Sequence, residues 1–418
     1  MSLPMDAVEI PMEKAVSARK DGGHGKAISS YMHKWMVYLA IVQGFSVMLN
    51  LNVVFMLSST APKALGVDPF STWIVLILEL TTCIANTLLF WMNPVKPWLT
   101  VMVSYVQAVV YIIQMLVVQF MKDTSGMAMY LICTAMCGAI FGCNSMTSFG
   151  FVAFGPVNHL GSLSFGCALG GVVPFLFSTV FQFTLFADNT VESTKALMHT
   201  IMGFVVALSV VSGLNLTVYL RNPDIKRHYE QAEIDGISTA KCTFRSALKG
   251  LKYTWKIVLL DFINYTNILI FYPSIVPISM NLKGEYVVML IGIFQMCDTI
   301  GRFMAVYINP RWLPCNTLNK VVILSICNLA SSAFLLCCTL LDTPFFRHIV
   351  TITFGVVTFA TIGGYCCSFS DRSIGEHVPT HLDKEVIVST TSVFKIIVSV
   401  FCAISGFVAI FLVRVIQH

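Results

Sequence analysis

The stretch VVMLIGIFQMCDTIGRFMAVYIN, Val287–Asn309, is apolar enough to lie in lipid, yet it carries Asp298 and Arg302. At about 1.5 Å rise per residue, four positions make roughly one helical turn, so both side chains leave the same helix face. An ionised group near the bilayer centre costs on the order of a few kcal/mol or more, and such groups face a protein interior or a water-filled cavity. The pair therefore marks a functional site and points to a polar solute bound inside a membrane.

The rest of the chain supplies that membrane setting. Of 418 residues, 56% are hydrophobic and 11% charged, with a mean hydropathy of +0.78, whereas soluble domains are about 25% charged. A soluble globular protein is excluded. Apolar runs separated by polar breaks predict eleven spans, at 35–57, 71–91, 98–120, 128–152, 161–186, 197–220, 255–278, 286–308, 318–340, 346–369 and 386–414. The expected fold class is an all-α polytopic membrane protein with eleven transmembrane helices. The longest polar break, 221–254, separates a six-helix bundle (35–220) from a five-helix bundle (255–418), with residues 1–34 as an N-terminal tail. No short apolar core with a cleavage site precedes the first span, so the first helix is expected to serve as the targeting signal.

Lys and Arg set the expected orientation. With the N-terminus in the cytosol, eighteen of them fall on the cytosolic side and six on the other. Eleven spans then put the C-terminus outside the cell. The excess of basic residues is thus a matter of topology, and the net charge of +5 gives no reason to expect nucleic acid as a partner. The expected partners are the lipid bilayer and a solute, and nothing in the sequence calls for an obligate protein partner.

Five ionisable residues fall within spans: Glu79, Asp261, Asp298, Arg302 and Lys395. Arg302 offers a fork of donors and Asp298 accepts from a ligand N–H or O–H, a combination suited to a heterocycle with adjacent donor and acceptor edges. The plainer alternative is an intrahelical ion pair that only orders its helix. Glu79 lies deep in its span as a cavity residue or a proton-titrating group. Asp261, about one turn into its span, is either a residue of the cytosolic interface or a functional one, and Lys395 is expected to snorkel toward the cytosolic interface rather than to enter the cavity. Gly161, Ser162, Ser164, Gly166, Ala168, Gly170 and Gly171 predict close helix packing. Pro273 and Pro277 predict a kink at the end of the seventh span. Most cysteines sit in apolar runs as small packing residues, and no zinc spacing occurs. Walker, HExxH and GxSxG motifs are missing, so neither an enzyme nor a cofactor is expected.

The segment Phe294–Phe303, FQMCDTIGRF, resembles the signature of the equilibrative nucleoside transporters, with its Asp-x-x-Gly-Arg core at Asp298–Arg302. Phe271-Tyr272-Pro273 resembles the aromatic-proline end of that family's seventh helix. Asp342–Phe346 (DTPFF) and Ala360–Tyr365 (ATIGGY) resemble its tenth helix and preceding loop, in wording closest to protozoan members. The first helix reads LNLNVVF at Leu49–Phe55, without the family's Trp-Asn pair. Asn144 stands nearest to the family's fourth-helix Gln, and Asn328 replaces a ninth-helix Arg.

The resemblance implies a major-facilitator-like fold of two bundles around a central cavity. Purine or pyrimidine nucleosides, or free nucleobases, would cross by alternating access, facilitatively and at the plasma membrane. By physical inference, Asp298 and Arg302 are expected to recognise the solute's polar edge, with Asn144, Asn52, Asn50 and Tyr272 as secondary candidates and Glu79 as the residue for any proton coupling. The alternatives are a transporter of another small polar solute, such as a sugar, amino acid or vitamin, or a polytopic receptor or scaffold without transport.

Overall fold

The computed structural model describes residues 30–58, 60–67, 70–91, 97–153, 160–186, 188, 190–223, 225–226, 244–271, 284–308, 317–341 and 343–377. Beyond these it describes 390, 393–394, 396–401, 404, 407–408 and 411. The long helices in order are α1 (Ser30–Leu57), α3 (Ser71–Trp91), α4 (Pro97–Phe120), α5 (Asp123–Ala153), α6 (Leu160–Thr184) and α7 (Val191–Arg221). After the polar break come α8 (Phe244–Ile270), α9 (Gly284–Tyr307), α10 (Leu318–Leu340) and α12 (Ile349–His377). Two short turns, α2 (Ala61–Leu65) and α11 (Pro344–Arg347), link α1 to α3 and α10 to α12.

Helix ends follow local chemistry. Pro62 sits in the first turn of α2, where its missing N–H is no loss, and Gly66 closes that turn at φ 72°, a left-handed conformation. The side chain of Thr190 accepts from the Ser193 N–H at 3.1 Å to start α7. Glu192 in its first turn and Arg221 in its last complement the helix dipole.

Among the described residues, nine helices are long and apolar enough to cross a membrane. They match nine of the expected spans. The expected span at 255–278 corresponds to α8, which begins about three turns earlier, at Phe244. Arg245, Lys249 and Lys252 interrupt its hydropathy, but Ala247 and Thr254 are buried, so the segment is an amphipathic entry to the helix. Most of 386–414, with Lys395, lies outside the described residues, as do Tyr272, Pro273 and Pro277. Helix α12 outlasts the expected end at residue 369 by about two turns. Bulky apolar side chains such as Leu88, Phe120, Val180, Ile323 and Phe354 point outward, as surfaces bathed in lipid do.

Two packed groups emerge. Helix α1 lies against α6, α3 against α5, and α4 against both α5 and α7; α12 is the hub for α8, α9 and α10. The largest buried cluster draws on residues between Leu49 and Val205, and the next on Ile268 to Cys367. The groups meet chiefly along α6 and α9.

Small residues make the tightest of these contacts, as the glycine-rich run predicts. A Cβ on Gly166 would fall 2.9 Å from the Ile41 Cα, and one on Gly170 would fall 2.8 Å from the Phe45 carbonyl oxygen. Backbones approach this closely only without side chains between them. Substituting Gly166→Val should therefore lower the thermal midpoint of the detergent-solubilised protein by about 2–10 °C, since overpacking costs roughly 1–3 kcal/mol and each kcal/mol moves a large domain by about 2–4 °C. Gly203→Ala, where no atom lies within 4 Å of the added Cβ, should hold or slightly raise the midpoint, since a helical Gly→Ala change with room for the methyl stabilises by about 0.4–1 kcal/mol.

Candidate functional site

Asp298 and Arg302 are both buried on α9 and are joined by an Arg302 Nε to Asp298 Oδ2 hydrogen bond of 2.9 Å. Only Nε of the guanidinium is used in that contact, which leaves the other N–H groups of the fork for a further acceptor. Asp298 Oδ1 turns toward Gly364 of α12 and accepts no hydrogen bond among the described residues. A Cβ at Gly364 would fall 2.8 Å from that oxygen, and one at Gly301 would fall 2.9 Å from the Tyr365 nitrogen. Gly301 and Gly364 thus let α9 and α12 close over the ion pair.

The pair opens onto a cavity between the two helix groups that encloses about 1100 Å³ of non-atom space, open solvent at its mouth included. Its polar wall comprises Asn52 of α1, Glu79, Thr82 and Asn86 of α3, Gln295, Asp298 and Arg302 of α9, and Asp371 of α12. Phe55, Phe141, Phe149, Tyr265 and Phe294 supply aromatic faces. Glu79, Thr82 and Asn86 recur at helical spacing and so share the inward face of α3. Asn52 and Gln295 join the two groups across the cavity, Gln295 Nε2 donating to Asn52 Oδ1 at 3.3 Å. Asn86 Nδ2 donates to Ser399 Oγ in the last segment.

Of the residues singled out from sequence, Asp298, Arg302, Asn52 and Glu79 come together here. Asn50 and Asn144 do not. Asn50 Nδ2 donates to the Cys137 carbonyl at 2.9 Å, and its Oδ1 accepts from Tyr111 Oη at 2.8 Å. Asn144 Oδ1 accepts from Gln43 Nε2 at 2.9 Å and from Ser148 Oγ at 3.1 Å, in a buried polar knot that also takes in Ser212. Both asparagines hold helices together. Asp261 is fully buried in α8 and is not among the residues that line the cavity. Asn264 of α8 is likewise buried and bonded to Ser325 and Asn328.

Tyr265, Asn86, Gln295 and Asp371 were not anticipated. Asp371 follows the apparent end of its span, and only the continuation of α12 buries it. Gln295 stands three residues before Asp298, the i, i+3 spacing that puts both on one face, so its signal was present.

No protein-family model matches the chain, and no curated protein matches it by sequence. Solved structures do match it in shape. A bacterial homologue of the iron transporter ferroportin in an outward-facing state is similar with a TM-score of 0.60 and 10% identity, over 92% of this chain and 97% of that one. The xylose transporter XylE from E. coli, partially occluded and inward-open, gives 0.58 and 11% over 92% and 97%. FucP, a major facilitator superfamily transporter in the outward conformation, gives 0.53 and 12% over 92% and 99%. The chain thus has a major-facilitator-like fold, and it is a multi-pass membrane protein.

The buried pair yields a stability test. Removing one partner strands a buried charge, at about 3–5 kcal/mol, whereas replacing both with apolar groups is often near neutral. Arg302→Met alone should lower the thermal midpoint in detergent markedly, and Asp298→Leu combined with Arg302→Met should recover most of the loss.

Proposed function

We propose that this chain is a transporter of nucleosides or nucleobases, moving them by alternating access of its two helix groups around the Asp298–Arg302 cavity. The observation that carries the reading is a donor fork and a carboxylate, buried together, opening onto a cavity with aromatic walls. A planar heterocycle presents adjacent donors and acceptors at its edge and a π-face above and below. The pair would engage the edge, and Phe55, Phe149, Tyr265 and Phe294 would flank the faces. The resemblance of FQMCDTIGRF to the nucleoside-transporter signature supports the same class of solute.

In this reading Asn52 and Gln295 complete recognition, while Asn50 and Asn144 act indirectly by fixing α1 against its neighbours. Transport is facilitative, requires no cofactor and involves no covalent chemistry. The residues 1–34 form a cytosolic tail, 35–220 and 255–418 the two bundles, and 221–254 the cytosolic connection that ends in the amphipathic start of α8. The C-terminus is extracellular and the membrane is the plasma membrane. Glu79, the acidic residue that α3 brings to the cavity, is where a co-transported proton would reside.

The second reading is transport of a different polar solute. It is favoured by the shape neighbours, since XylE is a xylose transporter and another neighbour is a homologue of an iron transporter. Competition separates the two: unlabelled hypoxanthine or inosine should suppress labelled adenosine uptake in a cell lacking nucleoside transport, and xylose should not.

Three sets of variants test the reading. Asp298→Asn and Arg302→Ala should each cut uptake more than tenfold with the protein still in the membrane; unchanged uptake would sink the assignment. Asn52→Ala should raise KM with the thermal midpoint held, and Asn50→Ala should do the reverse, because one lines the cavity and the other bonds only to protein. Glu79→Gln should leave uptake insensitive to external pH if a proton is coupled; a pH response identical to the parent protein's would remove Glu79 from that role.

A further inference from the structure

The carboxylate of Asp371 belongs to the cavity wall and at the same time to a contact between the two helix groups. Its Oδ2 accepts from Ser164 Oγ of α6 at 3.2 Å and from Tyr265 Oη of α8 at 3.4 Å. Ser164 Oγ in turn accepts from Ser368 Oγ of α12 at 2.9 Å. Ser368 and Asp371 lie three residues apart, on one face of α12, and Ser164, Ser368 and Asp371 are all buried. Three hydroxyls are thereby ordered in one direction onto a single carboxylate oxygen.

The place of this chain of hydrogen bonds in the fold gives it a meaning. Ser164 is about one turn into α6, while Asp371 and Arg302 lie within two turns of the ends of α12 and α9. The contact therefore sits at the end of the bundle where α6 begins and α9 and α12 finish, the end assigned above to the cytosol. Nearer the middle of the same α6–α9 contact, Thr299 Oγ1 donates to the Ala168 carbonyl at 3.3 Å.

We propose that Asp371 is the residue at which solute binding is exchanged for closure of this end: an O–H or N–H of the solute competes with Ser164 for the carboxylate, and loss of the Ser164 bond lets α6 part from α12. The inference rests on the transport reading and adds to it a gate and a positioning residue. It also limits the solute. A carboxylate only accepts, so the solute must present a donor to the α12 wall of the cavity, in addition to the edge that Asp298 and Arg302 hold. The gate works because a hydrogen bond to a charged group contributes about 1.5–3 kcal/mol in this setting, enough to bias two conformations without fixing one of them.

The test joins the two groups covalently. In Ser164→Cys with Ser368→Cys, oxidation should form a disulfide, cut adenosine counterflow in proteoliposomes more than tenfold, and be reversed by reductant; the reduced protein is its own folding control. A pair that cross-links and still transports at the reduced rate overturns the proposal, as does a pair that fails to cross-link. A second arm needs no flux. With a cysteine at Ala168→Cys, Ser164→Ala should raise modification of position 168 by an impermeant thiol reagent at least threefold in inside-out vesicles, read by peptide mass spectrometry. An unchanged rate overturns the gate. Loss of flux in the reduced pair and the parent protein alike would count against the transport reading, while the labelling rate would still decide the gate.

Discussion

A guanidinium and a carboxylate 2.9 Å apart on a helix surrounded by lipid cannot face the hydrocarbon, so protein must close around them. Much of the C-terminal packing answers to that need. Gly301 and Gly364 remove the side chains that would hold α9 and α12 apart, and Tyr365 and Phe359 pack behind the contact. On the other side, Gly171 and Ala168 of α6 admit Gln295 and Thr299 of α9. The remaining open face is the cavity. The ion pair is thus enclosed by α12 and α6 and faces the cavity with its groups already held in place.

The same constraint governs the polar residues that do not reach the cavity. In hydrocarbon an amide or hydroxyl without a partner costs several kcal/mol. Gln43, Asn144, Ser148 and Ser212 answer one another within the first group, and Asn264, Ser325 and Asn328 do so within the second. These knots make each group cohere as a body. Between the groups, polar contacts among the described residues include Gln295 with Asn52, Asn86 with Ser399, Thr299 with the Ala168 carbonyl, and Ser164 with Asp371 and Ser368. Strong bonds within groups and replaceable bonds between them are what a rocking motion about a central site requires.

The sequence made the spans legible because lipid demands about twenty apolar residues per crossing, and it made the Asp298–Arg302 pair legible because a charge there has few innocent explanations. It could not say which way an uncharged polar residue faces. Asn50 and Asn52 look alike in LNLNVVF, yet two residues turn a helix by roughly 200°, so Asn52 reaches the cavity and Asn50 reaches Tyr111. Asn144 is one residue from Ser145, which does line the cavity. Asp371 was hidden for a different reason. It follows a run whose hydropathy fades into SFSDRS, and nothing local reveals that the helix continues inward under cover of α6 and α8.

In the proposed reading, the buried pair and its aromatic surroundings recognise a nucleoside or nucleobase and carry it across the membrane. Counterflow of a panel of labelled solutes into proteoliposomes holding the purified chain tests it most directly. The account predicts saturable exchange of adenosine, inosine or hypoxanthine, with none of xylose. Exchange of xylose without any nucleoside or nucleobase, or no exchange at all from protein shown to be folded, would contradict it.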